Sequence, residues 1–89
     1  MHVILYTRHG CHLCDDALTA LQQAQKRHCF GFEVVDVDKS PDLTMRYGEW
    51  VPVVTLDGKL RFKGGVSPVL LRRLLHAEVK RRKRGGAVV

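Results

Sequence analysis

Apolar residues open the chain without alternation. Val3, Ile4, Leu5 and Tyr6 run consecutively, which suits a strand buried on both faces and predicts one over His2–Thr7. From Cys11 the period changes. Leu13, Ala17, Leu21, Ala24 and His28 recur at spacings of three and four, with Cys14 and Leu18 beside them. That stripe predicts a helix from about Cys11 to about Arg27. Asp15 and Asp16 fall in its first turn and Lys26, Arg27 and His28 in its last, each where the helix dipole favours that charge. From Phe32 through Val34 to Asp38 apolar and acidic residues mostly alternate, predicting a second strand. Ser40 then offers a helix cap and Pro41 suits the first helical position, opening a short helix that stops at Gly48.

The stretch VPVVTLDGKLRF follows. Asp57-Gly58 is a strong two-residue hairpin signal. It joins a strand near Val51–Leu56 to one near Lys59–Lys63. Gly64-Gly65 interrupt the pattern, and Ser67-Pro68 repeat the cap-then-proline start. The last helix has Val69, Leu70, Leu74 and Val79 as inward candidates. The order β-α-β-α-β-β-α predicts an α/β fold. Its strand–helix–strand units favour parallel neighbours, and the hairpin makes the last two strands antiparallel. A mixed four-stranded sheet flanked by helices follows from the pattern alone, but its strand order does not.

Composition narrows the class. The 89 residues, 45% of them hydrophobic, fit one small domain. No repeat or linker divides it. We expect a domain over residues 1–80 and a basic, flexible tail over 81–89. The net charge of +6 is carried by residues 66–89, where seven Lys or Arg face a single acid, while the rest of the chain is neutral. The KRRKR run lacks interleaved aromatics and any base-reading motif, so a solvated helix end is expected and no nucleic-acid partner. No stretch approaches the roughly 20 apolar residues of a membrane helix. The apolar run after Met1 ends too soon for a signal peptide. A cytoplasmic, monomeric protein with no membrane partner is therefore expected.

Three cysteines are too few for a stapled secreted framework. Two of them form CHLC, at the end of the first strand and the start of the first helix. Cys11 falls at the N-cap or first turn, where unpaired amides carry partial positive charge and stabilise a thiolate. Arg8, His9 and His12 add to that field; Asp15 and Asp16 oppose it. Cys14 lies three residues on, on the same helical face and close enough for a disulfide. It sits on the apolar stripe and should stay protonated. Cys11 is thus the candidate nucleophile and Cys14 the candidate resolving thiol. A structural zinc site usually needs four ligands, commonly two such pairs. One pair plus Cys29 and five scattered histidines does not supply them, because Cys29, placed further along the same helix, lies roughly 22 Å from Cys14. No metal ligand is assigned, and Cys29 reads as an idle thiol.

YTRHGCHLC, with WVPVVTLDGK and Gly64-Gly65 downstream, resembles the glutaredoxin branch of the thioredoxin-like proteins over nearly the whole chain, to about Lys80. The resemblance implies a glutaredoxin-type thioredoxin-like fold with sheet order 2-1-3-4. It implies a thiol–disulfide oxidoreductase that reduces or exchanges protein disulfides. In it Cys11 attacks, Cys14 resolves, Pro52 is a cis-proline and the Val51 backbone pairs with an extended substrate segment. Gly64 and Gly65 supply backbone contacts, and Arg8 matches a basic residue that contacts glutathione carboxylate. The redox-active Cys11–Cys14 disulfide stands in place of a tightly bound cofactor. The partners implied are a protein disulfide or thiol and a thiol reductant, either glutathione or a thioredoxin reductase.

The departures from the pattern also carry information. His12-Leu13 replace the usual Pro-Tyr between the cysteines, and a histidine there would stabilise the Cys11 thiolate and make the disulfide more oxidising. Trp50-Val51 stand where a threonine-valine pair is usual, offering Trp50 as a substrate-facing wall. Val66 and Ser67 replace the acidic residues that hold the γ-glutamyl amine, so glutathione would lack its acidic clamp here. Two other readings are a glutathione-dependent glutaredoxin and a dimeric module in which CHLC pairs hold an iron–sulfur cluster or zinc.

Overall fold

The structure, a computed structural model, describes the backbone of residues 1–88 and the side chains of residues 1–81. The tail expected over 81–89 falls, past Arg81, outside the described side chains. The elements run β1 (His2–Thr7), α1 (His12–Gln25), β2 (Gly31–Asp36), a 3₁₀ turn (Val37–Lys39), α2 (Pro41–Tyr47), β3 (Val53–Leu56), β4 (Lys59–Lys63) and α3 (Pro68–Val88). They form a four-stranded sheet of order β2-β1-β3-β4. β1 pairs parallel with β2, antiparallel with β3, and β3 antiparallel with β4. This is the anticipated mixed sheet with β1 and β3 central.

Local chemistry explains several boundaries. β2 stops at Asp36, two residues before the expected end, because its last partner is Thr7 at the end of β1. The Asp36 carboxylate then accepts from the Asp38 amide at 2.9 Å, offering the backbone an alternative to the ladder. β3 starts at Val53 and not Val51, since Pro52 has no amide to give and the Val51–Pro52 bond is cis. The hairpin forms as read: Asp57 and Gly58 both take positive φ, 50° and 83°, which a two-residue primed turn requires. Ser40 caps α2 through its hydroxyl.

The main core cluster lies on one face of the sheet, while buried Val53 and Thr55 of β3 face the other. Val3 and Leu5 of β1 and Val54 and Leu56 of β3 meet Ala17 and Leu21 of α1 and Leu71 and Leu75 of α3. Burying each such leucine contributes roughly 1.5–3 kcal/mol. The inner stripe of α1 is Cys14, Ala17 and Leu21, whereas Leu13 is 53% exposed. On α3, Leu71 and Leu75 turn inward. Leu74 and Val79 are half-buried, and Val69 and Leu70 are exposed. The apolar run of α3 covers too much of the helix surface for periodicity to pick one face, so packing against the sheet decides. Glu78 continues the buried stripe, and its carboxylate meets Arg61 at 3.7 Å and Arg81 at 2.7 Å.

α1 also ends earlier than the pattern suggested, at Gln25 with Lys26 as its cap. Cys29 therefore lies beyond the helix, and it is a free, exposed thiol.

Candidate functional site

β1 ends at Thr7 with its neighbour Tyr6 opposite Val53, the first residue of β3. The chain leaving β1 and the chain entering β3 therefore share one end of the sheet. β4 returns to the same end. Gly64, just past it, donates its amide to the carbonyls of Trp50 at 2.7 Å and Pro52 at 2.9 Å. Three segments thus converge: Arg8–Cys14, Gly48–Pro52 and Lys63–Gly65.

Gly10, at φ 76°, turns the first segment from strand to helix. Cys11 follows in extended backbone and caps α1, its Sγ accepting the Cys14 amide at 3.1 Å. Cys11 and Cys14 are joined as a disulfide, with Cα atoms 5.2 Å apart. Cys14 is 2% exposed, while Cys11 is half-buried and open to approach. An amide that contacts a neutral sulfur contacts a thiolate more strongly, and the helix N-terminus adds positive field. The site therefore favours charge on Cys11 and disfavours it on buried Cys14.

His12 is exposed at the first position of α1. Val51 is half-buried and Pro52 buried across the cis bond. Trp50 is half exposed, with the Lys63 ammonium 4.6 Å from its ring centroid, a cation–π contact. Nothing in the local pattern of β4 singles out Lys63 for this contact. Gly64 sits at φ 78°, where only glycine is comfortable. Gly65 has no such conformation, and open space surrounds the position a Cβ would occupy. Arg8 is engaged with protein groups, donating to Asp38 at 3.1 Å and to the Gly48 carbonyl at 3.3 Å.

Behind this end of the sheet, on the opposite face from the core, Tyr6 stacks on Tyr47 with ring centroids 4.5 Å apart. Burial, and next Tyr47, push the Tyr6 hydroxyl above its ordinary pKa of 10.0. The buried Thr55 Oγ1 makes no hydrogen bond of good geometry among the described residues, and its hydroxyl opposes the rise in the Tyr6 pKa. A cleft of about 400 Å³ between α1 and α3, lined by Asp16, Ala20, Gln23, Arg27, Leu71 and Arg72 among others, includes neither cysteine. The described residues contain no group of three or more His, Cys, Asp or Glu able to hold a metal ion.

Comparison with known proteins agrees with this fold. The family model of the Glutaredoxin-like domain matches residues 2–81, and the chain belongs to that family. A structural-genomics target protein, XcR50 from X. campestris, is 36% identical in its X-ray structure. The match covers 84% of this chain and 96% of that one, with a TM-score of 0.69. Protein Ne2328 from Nitrosomonas europaea, solved by NMR, is 29% identical over 83% of this chain and 89% of that one, also at 0.69. A mutant thioredoxin from Halobacterium salinarum shares the fold at 20% identity and a TM-score of 0.64, over 85% of this chain and 72% of that one. No curated protein matches.

Proposed function

We propose that this member of the glutaredoxin-like family is a thiol–disulfide oxidoreductase acting on protein disulfides. The observation that carries the reading is the asymmetry of its bonded cysteine pair. One sulfur caps a helix and is accessible, and the other is buried one turn later.

In the reduced protein the Cys11 thiolate attacks a substrate disulfide. A Cys11–substrate bond forms, the substrate's S–S bond breaks and one substrate thiolate leaves. Cys14 then gives up its proton and attacks the Cys11 sulfur. The Cys11–Cys14 bond forms, the second substrate thiol is released, and two electrons have passed to the substrate. Burial of Cys14 keeps it protonated until the mixed disulfide brings an electrophilic sulfur beside it. The Val51 backbone, ahead of the cis bond, and Gly64-Gly65 provide an extended edge for the substrate chain, with Trp50 as a wall and His12 beside the reacting sulfur.

A thiol reductant, glutathione or a thioredoxin reductase in the cytoplasm, regenerates the dithiol. The test is reduction of a peptide disulfide by the reduced protein, followed by turnover with glutathione and, separately, with a thioredoxin reductase. Stoichiometric reduction lost in Cys11→Ser supports the reading, and equal activity in that variant overturns it. Turnover with glutathione alone would make the protein a glutathione-dependent glutaredoxin.

A further inference from the structure

Arg8 leaves the end of β1 three residues before Cys11, and its guanidinium is shared between two segments remote in sequence. Nε donates to Asp38 Oδ2 at 3.1 Å, in the 3₁₀ turn after β2, and Nη1 donates to the carbonyl of Gly48 at 3.3 Å. Gly48 is buried at the C-terminal cap of α2. Two residues later comes Trp50, and the cis Val51–Pro52 bond follows. From these contacts we infer that Arg8 is a positioning residue. It ties the cysteine loop to the cis-proline loop and does not serve as a ligand for a substrate carboxylate.

Three physical points support the assignment. A guanidinium presents its donors in one rigid plane, so two acceptors bound at once fix each other's position. The Gly48 carbonyl closes a helix, where the backbone presents partial negative charge that a cation complements. Any incoming carboxylate must also compete with Asp38, which already holds the Nε side of the fork. Both side chains are about two-fifths exposed. Such an ion pair adds little to global stability, so its consequence is local: it sets where the Gly48–Pro52 loop stands relative to Cys11.

The test compares Arg8→Gln, Arg8→Lys and Asp38→Asn. Its kinetic arm rests on the thiol–disulfide reading, and its spectroscopic arm does not. Trp50 is the chain's single tryptophan, so its fluorescence reports the order of the tied loop. A clamp predicts that Arg8→Gln and Asp38→Asn both increase quenching of Trp50 by acrylamide. It also predicts that both raise KM for a peptide disulfide by about three- to tenfold with kcat nearly unchanged, the range spanned by one net hydrogen bond. Arg8→Lys recovers part of the loss, since an ammonium replaces the fork with a point charge. If Arg8 instead held substrate, Asp38→Asn would free it. KM would then hold or fall in that variant while rising in Arg8→Gln, and Trp50 quenching would not move; that result overturns the assignment. Should the wild-type protein reduce no disulfide, the functional reading fails, and unchanged or increased Trp50 quenching still decides the clamp.

Discussion

The backbone amide of Cys14 donates to the sulfur of Cys11 at 3.1 Å, so the two cysteines are related by a helix cap as well as by their disulfide. The cap serves a local need, since the first amides of α1 have no helical partner. It also leaves the two sulfurs unequal, which is the condition for one to attack and the other to resolve.

Removing either sulfur should separate these roles. Cys11→Ser is expected to lower the rate of peptide-disulfide reduction by about a thousandfold or more, because no nucleophile remains. Cys14→Ser is expected to accumulate a mixed disulfide on Cys11, visible by mass spectrometry under non-reducing conditions. Equal trapping by the two variants would contradict the division of labour.

In the reduced protein the cap should make Cys11 acidic. Titration of thiolate absorbance is expected to place Cys11 below the free-cysteine value of about 8.5, with Cys14 ionising later. Titration of Cys11→Ser, which removes the acidic step, assigns it. A single step shared equally by both thiols would count against the cap.

The two glycines after β4 should respond differently. Gly64→Ala forces a side chain into φ 78° and strains the residue whose amide holds the Trp50 and Pro52 carbonyls. It should cost about 1 kcal/mol or more and raise KM for a peptide disulfide. At Gly65 the added methyl meets open space, so Gly65→Ala should stay within about 0.5 kcal/mol. Denaturant titration of both variants makes the comparison.

On α3, Leu75→Ala should destabilise the domain by about 2–5 kcal/mol, as expected for an emptied core site. Leu70→Ser, only five residues away on the exposed side, should change stability by about 0.5 kcal/mol or less. Equal effects would mean that α3 packs on another face.

Tyr6 gives a pH signature. Its folded pKa is raised, chiefly by burial, so folding favours the protonated hydroxyl. That contribution is complete below the unfolded value of about 10 and is lost as pH climbs through the folded pKa. Between about pH 9 and about pH 11 the wild-type protein should lose more stability than Tyr6→Phe. Parallel loss in the two proteins would remove Tyr6 from the account.

Much of this molecule is written in its local chemistry. The strand over His2–Thr7, the Ser40-Pro41 and Ser67-Pro68 helix starts, the Asp57-Gly58 hairpin and the pairing of Cys11 with Cys14 each follow from a few neighbouring residues whose conformational preferences agree. The strand order and the cis Val51–Pro52 bond entered through the family resemblance, because neighbouring residues do not specify which strands pair. Other features needed the whole chain. Leu71 and Leu75 became core, and Leu13 and Leu70 surface, because a helix with apolar residues on several sides takes its orientation from what it packs against. Cys29 stands outside α1, which closes at Gln25 with Lys26 as its cap. Arg8 donates to Asp38 and to the Gly48 carbonyl, partners 30 and 40 residues away that no local pattern points to. Short-range preferences select the elements, but a charged side chain is satisfied by whatever the fold brings within reach, and that is decided only when the segments converge.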